Sequence, residues 1–313
     1  MTNLSTRDAF GECLVEIGKD ERIVVLDSDL SKSTKTIKFS SNYPTRFFNV
    51  GCAEQNLIAT AAGFAYAGKI VIASSYAIFV TSRAWEQIRS IVAHDDLNMK
   101  IIVTHAGLTN AADGATHHSL EDITLMRVIP NMTVIVPADA EEAIQAIKAA
   151  IKHNGPCYIR LSRAKTPVLF NSNYKFKIGK CAVLKNGYDL TIMASGNMVC
   201  KALEAADKLS LEGITARVLN ISTIKPLDNE TIILAGKETG CVVVAEEHSV
   251  LGGLGSAVSE VLSNNFPVPI EFIGVKDKFG QSGNLEDLYD LYELTSKNII
   301  VAAKKVLSKK KIK

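Results

Sequence analysis

The sequence predicts an α/β protein with two doubly wound sheets, and three observations lead to that class. Short apolar runs, typical of strands buried on both faces, alternate with longer segments of helical periodicity. This alternation occurs twice, and a segment without it lies between the two occurrences. The length of 313 residues suits about two domains, and a composition of 47% hydrophobic and 22% charged residues is ordinary for a globular protein.

The first unit is predicted to cover residues 1–166. Ser5 to Asp8 has the pattern of a helix N-cap, and a helix follows to about Gly18. Further helices are expected at residues 57–67, at 81–93 and from Asp139 onward. Strands are expected at residues 23–26, 70–73, 100–104, 133–136 and 158–161, with one more ending at Val50.

The pattern lapses between the two units. Residues 167–187, rich in proline, asparagine and lysine, predict a linker with some extended structure. The second unit, residues 188–313, is expected to hold strands at 190–194, 215–219, 242–245 and 270–273 and a last helix at 295–307. The basic residues 309–313 are interpreted as a solvated end of the chain.

Composition excludes several classes of function. A net charge of +2 gives no reason to expect nucleic-acid binding. The six cysteines form no C-x-x-C pair, which argues for a reducing compartment and against a zinc site. No apolar run is long enough to span a bilayer, and no cleavable leader precedes the first helix. We therefore expect a cytoplasmic protein without a membrane partner.

Polar residues fall directly after the predicted strands of the first unit. Asp27, Glu54, Ser74, His105 and Arg160 all occupy such positions. A doubly wound sheet places the carboxyl ends of its strands at one edge, and ligands bind in the crevice there. Glu54 can be interpreted as a helix cap favoured by the helix dipole, or as an ionisable group of this ligand site.

The longest polar loop, residues 106–119, follows the strand that ends at His105. With His105 it offers three histidines and Asp113, groups that can bind a polyol or shuttle protons near neutral pH. A metal site is the alternative, although no clean ligand spacing occurs. Arg163 could bind phosphate or form a surface ion pair, and Phe79 could belong to the core or stack on a planar heterocycle.

Two patterns in the second unit could also serve chemistry. The glycine-rich stretch 252–255 opens a helix after a strand, so it could cradle an anion or simply allow close packing. The preceding residues, 246–248, could be an acid–base cluster or a surface or interdomain contact.

Several segments, each weak alone, together resemble the C-terminal half of transketolase, in an order and spacing that cover nearly the whole chain. They are Gly51-Cys52-Ala53-Glu54-Gln55-Asn56, Tyr76-Ala77-Ile78-Phe79, Arg83-Ala84-Trp85-Glu86-Gln87-Ile88-Arg89, Thr104-His105-Ala106-Gly107, Asp113-Gly114-Ala115-Thr116-His117, Arg127-Val128-Ile129-Pro130-Asn131-Met132 and Ile159-Arg160-Leu161-Ser162-Arg163. The chain looks most like the second subunit of a split transketolase.

The resemblance implies a fold, a cofactor and a reaction. The fold is a pyrimidine-binding domain followed by a smaller transketolase C-terminal domain. The reaction, in the non-oxidative pentose phosphate pathway, moves a two-carbon ketol unit from a ketose phosphate to an aldose phosphate with thiamine diphosphate. Glu54 matches the glutamate that contacts the cofactor's aminopyrimidine and favours its imino tautomer, Phe79 matches the stacking aromatic residue, and Tyr76 matches a second aromatic residue nearby.

The resemblance also implies a substrate channel. His105, Asp113 and His117 match residues that bind the sugar's hydroxyls and phosphate, and Arg163, Ser33 and Arg7 match the phosphate end. The sequence departs from many relatives at Ala115, where they have proline, and at His118, where they have glutamine. It also has one residue more than many full-length members between Phe79 and Arg83, which leaves open which aromatic residue stacks.

The family's diphosphate and Mg²⁺ motif, Gly-Asp-Gly with a later Asn, does not occur in this sequence. The resemblance therefore implies that an N-terminal transketolase subunit supplies the Mg²⁺ and the diphosphate site, that this chain holds no metal, and that two copies of each chain form a heterotetramer. The isolated chain is expected to be at least a homodimer without activity.

Three alternatives stay open at this point. One is the matching half of 1-deoxyxylulose-5-phosphate synthase, which usually has arginine where His105 stands. Another is the β subunit of 2-oxoacid dehydrogenases, which lacks the set of His105, Asp113 and His117. The third is a non-catalytic relative that kept the fold.

Overall fold

The computed structural model describes residues 3–310, so residues 311–313 of the predicted basic tail lie outside the described part. Its helices are α1 (Thr6–Ile17), α2 (Ser31–Thr34), α3 (Ile37–Asn42), α4 (Glu54–Tyr66), α5 (Ala77–Arg83), α6 (Trp85–Gln87), α7 (Asp122–Arg127), α8 (Ala140–Lys152), α9 (Met198–Leu211), α10 (Asn229–Thr239), α11 (Leu254–Asn265), α12 (Leu285–Leu291) and α13 (Ser296–Ser308). Its strands are β1 (Asn3–Ser5), β2 (Ile23–Asp27), β3 (Phe47–Asn49), β4 (Ile70–Ser74), β5 (Met99–Val103), β6 (Thr133–Ile135), β7 (Cys157–Arg160), β8 (Lys165–Pro167), β9 (Ala182–Lys185), β10 (Leu190–Ala194), β11 (Ala216–Asn220), β12 (Thr223–Lys225), β13 (Val242–Ser249) and β14 (Ile270–Val275).

Two mainly parallel sheets dominate the structure and confirm the predicted α/β class. The first has the strand order β12-β6-β7-β5-β4-β2-β3, and the second has the order β14-β13-β10-β11-β9. Only the edge strands β12 and β9 run antiparallel to their neighbours in these two sheets over residues 3–310. β1 and β8 form a separate antiparallel pair.

The strands form where the sequence is continuously apolar, because each is covered on both faces. Every residue of β2, β4 and β5 is buried. Separate groups of buried side chains pack on the two faces of the first sheet, one around Leu57 and Ile101 and the other around Phe10 and Ile102. This burial drives the parallel pairing.

The predicted N-cap of α1 is confirmed, because Ser5 Oγ accepts the Asp8 amide at 3.0 Å.

Some details differ from the prediction. The helix expected at residues 81–93 begins at Ala77. It is interrupted at Ala84, whose backbone (φ −116°, ψ 17°) leaves the helical region. A π-type turn, Ile88–Ala93, follows α6. The strand β12 was not predicted, and it joins the first sheet although it comes from the second unit. The limits 1–166, 167–187 and 188–313 stay a prediction.

The helices carry no sign of a membrane span. Within residues 3–310, none has both the length and the apolar character that crossing a bilayer requires.

Candidate functional site

The carboxyl ends of the parallel strands bring the predicted polar residues to one edge of the first sheet. Asp27 of β2 lies opposite Ser74 of β4, and Val103 of β5 lies opposite Arg160 of β7. Ser28 Oγ donates to Ser75 Oγ just beyond these ends, at 2.7 Å. The edge is thus a continuous polar rim, as expected for a ligand crevice in an open α/β sheet.

Glu54 is the first residue of α4 and lies at this rim. The turn before it depends on Gly51, whose φ of 76° favours glycine. The side chain of Glu54 is only 5% exposed. Its two carboxylate oxygens accept hydrogen bonds from Arg83 Nη1 at 3.2 and 3.1 Å. Glu54 is therefore the first residue of a helix, and its carboxylate is also a buried charge paired with Arg83.

Four rings form a group beside Glu54 that we call the aromatic cluster: Tyr76, Phe79, His105 and His117. Tyr76 stacks between Phe79 (centroids 5.6 Å apart) and His105 (3.9 Å). His117 meets Phe79 edge-on at 5.2 Å. The Ala77 amide donates to the Thr104 carbonyl at 2.9 Å, which fixes the start of α5 against the end of β5. The structure thus brings both predicted aromatic residues and two predicted histidines together.

His105 is held in the left-handed region (φ 58°) and is 2% exposed. Burial is the main reason that its pKa falls from 6.5 to about 3, and the charges of Arg7, Arg163 and Lys35 lower it further. The imidazole is therefore neutral at physiological pH, and Thr104 Oγ1 lies 2.8 Å from its Nδ1. A neutral imidazole can both donate and accept a hydrogen bond, which suits contact with a hydroxyl group.

The lowered pKa of His105 makes folding stability depend on pH. As pH falls, the unfolded chain takes up a proton on this residue near pH 6.5, whereas the folded chain does so only near pH 3. Stability is therefore lost through that window, by about 2 kcal/mol for this group between pH 7 and pH 5. Urea unfolding at both pH values should show a smaller loss of stability for His105→Asn, because asparagine takes up no proton in this range. Asparagine is chosen because it tolerates a positive φ. Equal losses in both proteins would contradict this.

The cations around His105 form the second part of the site, which we call the basic cluster: Arg7, Lys35 and Arg163. Arg7 donates to Asp8 at 3.1 Å, and Lys35 lies 3.5 Å from the same carboxylate. Arg163 donates to Asn110 Oδ1 at 3.2 Å. The Nε of Arg7 is buried and has no hydrogen-bond partner among residues 3–310. One carboxylate thus serves two of the three cations, and a buried donor lacks an acceptor, as expected of an anion site.

Two predicted residues are less closely integrated. Ser33 is half-buried in the four-residue helix α2, and Asp113 ends an exposed 3₁₀ turn, Ala111–Asp113. The loop that carries Asp113 is held by the second unit, because the Gly283 amide donates to the Ala111 carbonyl at 3.1 Å. A contact of Ser33 or Asp113 with a substrate stays a prediction.

The glycine-rich stretch is not free to bind an external anion. The amides of Leu254 and Gly255, at the start of α11, each donate to a carboxylate oxygen of Glu246 at 2.8 Å. The chain supplies its own anion at this helix N-terminus, so the anion-cradle interpretation is wrong.

The neighbouring residue Glu247 confirms the interdomain interpretation of residues 246–248. Its buried carboxylate accepts the amide of Leu108 from the first unit and the side-chain amide of Asn197 from the second, both at 2.8 Å. Burial raises the pKa of Glu247, against the lowering effects of Arg160 and these hydrogen bonds. No group of three or more His, Cys, Asp or Glu side chains that could hold a metal ion occurs in the described part of the chain.

Sequence reasoning did not assign Arg83 and Lys35 to the site. Arg83 follows Phe79 by four residues on one helix, and its Cζ lies 4.2 Å from the centre of that ring. Spacing of this kind on a helix predicts contact, so the cation–π pair could have been found from the sequence. Nothing in the local sequence marks Lys35.

Comparison with known proteins decides the family. The family described as "Transketolase, pyrimidine binding domain" matches residues 2–168, and "Transketolase, C-terminal domain" matches residues 179–299. The chain belongs to the transketolase family. It corresponds to the C-terminal half of a transketolase, and membership implies a transferase subunit that depends on thiamine diphosphate.

Relatives and solved structures agree with this assignment. A putative transketolase C-terminal section of Methanocaldococcus jannaschii is 45% identical over 97% of this chain and 96% of its own. A 6-deoxy-6-sulfo-D-fructose transketolase subunit (SqwH) of a Clostridium species is 42% identical over 97% and 95%. One of the subunits of an apulose-4-phosphate transketolase, from Phocaeicola vulgatus, is 37% identical over 98% of both chains.

Among solved structures, one described as "Split gene transketolase, inactive beta4 tetramer" superimposes with a TM-score of 0.93 at 49% identity, covering 98% of this transketolase chain and all of that one. A crystal structure of transketolase from Campylobacter jejuni matches with a TM-score of 0.80 at 23% identity over 96% of this chain and 46% of that one, which supports the fold alone.

The residues present fit the aminopyrimidine end of thiamine diphosphate. Glu54 offers a buried carboxylate that already accepts N–H donors, and Phe79 already carries a planar group on its ring. The sequence lacks the Gly-Asp-Gly motif that the family uses at the diphosphate end.

Proposed function

We propose that this transketolase chain is the C-terminal subunit of a two-chain enzyme that moves a two-carbon ketol unit from a ketose phosphate to an aldose phosphate, as in the non-oxidative pentose phosphate pathway. The observation that carries the proposal is the meeting of the buried Glu54, the aromatic cluster and the basic cluster at one sheet edge. Together they offer a place for a heterocycle, a polyol and an anion.

Each part has a distinct task in this proposal. Bound thiamine diphosphate would supply the carbon nucleophile that breaks and re-forms the carbon–carbon bond. Glu54 would hold a proton at a nitrogen of the aminopyrimidine ring, and Phe79 would orient that ring by stacking. The neutral His105, with His117 and Asp113, would hydrogen-bond the hydroxyls of the sugar.

The basic cluster would anchor the far end of the substrate. Arg7 and Arg163 carry N–H groups suited to phosphate oxygens, and Ser33 lies on the helix next to Lys35. Relatives are named for a sulfonated fructose and for apulose 4-phosphate. Of the three cations, only Arg7 and Lys35 share a carboxylate, that of Asp8, and this excess of positive charge favours a dianion such as the phosphate of a sugar phosphate.

The partner and the location follow from the same reasoning. We infer that an N-terminal subunit holds Mg²⁺ and the diphosphate and that the complex is a heterotetramer. The solved split-gene relative, described as an inactive β4 tetramer, supports the expectation that this chain alone self-associates without activity. All six cysteines are unpaired, which supports a reducing, cytoplasmic compartment.

The deciding experiment is reconstitution. This chain with an N-terminal transketolase subunit, thiamine diphosphate and Mg²⁺ should transfer ketol units from xylulose 5-phosphate to ribose 5-phosphate, and this chain alone should not.

Arg163→Met should raise KM for the phosphorylated ketose by about 10- to 100-fold and leave KM for an unphosphorylated ketose unchanged. Arg22→Met, which alters an exposed pair with Asp20, is the control. Full activity of the isolated chain, or a preference for the sulfonated ketose, would refute the corresponding part of the proposal.

A further inference from the structure

Arg83 occupies both surfaces that the aminopyrimidine needs. Its Nη1 donates to the two carboxylate oxygens of Glu54 at 3.2 and 3.1 Å. Its guanidinium carbon lies 4.2 Å from the centre of the Phe79 ring. A planar guanidinium that donates N–H groups and stacks on an aromatic ring offers the same kinds of contact as a planar nitrogen heterocycle.

The two partners differ in their exposure. The side chain of Glu54 is 5% exposed, whereas that of Arg83 is 53% exposed. Arg83 is the last residue of the seven-residue helix α5, and the chain leaves the helical conformation at Ala84. The carboxylate is therefore enclosed by the protein, whereas the guanidinium lies on its solvent side, at the end of a helix.

Electrostatics explains why such an arrangement is useful before the cofactor binds. An ionised carboxylate with 5% exposure is costly when it has no partner. Arg83 removes that cost in the cofactor-free subunit. The guanidinium uses the carboxylate oxygens of Glu54 and the ring of Phe79, which are the groups that a pyrimidine would need. The guanidinium and a pyrimidine therefore cannot bind there at the same time.

We propose that Arg83 is a competitor of the cofactor: it pairs with Glu54 and covers Phe79 in the cofactor-free chain, and the aminopyrimidine displaces it on binding. This inference rests on the proposed function, because it names thiamine diphosphate as the displacing group. Arg83 thereby lowers the affinity for thiamine diphosphate and stabilises the cofactor-free chain.

The first test needs no cofactor. A double-mutant cycle on the full isolated chain combines Arg83→Met with Glu54→Gln and follows thermal unfolding. Arg83→Met should lower Tm by about 2–4 °C when Glu54 is present, since a buried carboxylate loses its partner, and should have little effect when Glu54 is already glutamine. Equal shifts in both backgrounds would mean that the two residues are not coupled and would overturn the proposal.

The second test measures thiamine diphosphate binding to the reconstituted complex by calorimetry in the presence of Mg²⁺. Arg83→Met should lower Kd by about 3- to 10-fold, because two charge-assisted hydrogen bonds no longer have to be broken. Arg89→Met changes an exposed arginine six residues further on and should leave Kd unchanged. An unchanged or raised Kd in Arg83→Met would overturn the competition while the proposed function stands, whereas a wild-type complex that binds no thiamine diphosphate would refute both.

Discussion

Glu54→Gln is expected to lower kcat of the reconstituted transketolase by about 10²- to 10⁴-fold, the range lost when a positioned acid–base group is removed. Glutamine keeps the size of the side chain and an oxygen that can accept from Arg83. It cannot, however, hold a proton at the aminopyrimidine as a carboxylic acid does. Because the residue begins α4 and lies at the sheet edge, the change should leave the fold intact.

The measurement is ketol transfer from xylulose 5-phosphate to ribose 5-phosphate, with circular dichroism as the check on folding. Glu86→Gln is the matched control, since Glu86 is an exposed glutamate only three residues beyond Arg83. Undiminished transfer by Glu54→Gln would defeat the catalytic assignment. It would mean that the acid–base group of the complex lies elsewhere than at Glu54.

The second large effect concerns stability and comes from Arg160, which joins the two units behind the site. Arg160 is 6% exposed, and its Nε donates to Asp122 at 2.8 Å. Its Nη2 donates to the carbonyls of Ser119 (3.1 Å) and Glu247 (3.0 Å), the latter on β13 of the second sheet. Tyr158 donates to the same Asp122 carboxylate at 2.6 Å. One guanidinium thus connects β7, the loop of residues 106–119 and the second unit.

Arg160→Met should destabilise the chain by about 3–5 kcal/mol, because it leaves the carboxylate of Asp122 buried without its cation. Equilibrium urea unfolding of the isolated chain measures the change. Adding Asp122→Asn should recover part of the loss, since the uncompensated charge disappears. The exposed pair Arg22–Asp20 supplies the control, and Arg22→Met should change stability by less than about 1 kcal/mol. A loss for Arg160→Met no larger than that of the control would contradict the prediction.

The sequence was sufficient for the parallel strands of the two sheets and for the edge at which Glu54 and His105 lie. Continuous apolar runs such as Ile70–Ser74 can be strands only if both faces are covered, and that requirement leads directly to a parallel sheet. The location of Glu54 and His105 after strands then places them at one edge. The tasks of these residues came from the resemblance to transketolase, because burial and position alone fit a helix cap equally well.

What could not be predicted depends on contacts between distant parts of the chain. Arg83 and Glu54 are 29 residues apart, and only the fold brings the guanidinium to the carboxylate. Lys35 acts on His105 through space and has no local pattern. Similarly, Glu246 lies eight residues before the amide of Leu254 that it accepts, so the helix N-terminus looked vacant in the sequence.

The strand β12 limits where the polypeptide can be truncated without exposing the first sheet. Thr223 and Lys225 pair with Ile135 and Val134 of β6, and the Val136 amide donates to the Ser222 carbonyl at 2.7 Å. A fragment that stopped in the linker would expose the hydrogen-bonding edge of β6, which invites pairing between chains. The boundary between the two units in sequence is therefore not a boundary in the first sheet, because residues well beyond it cover the edge of β6.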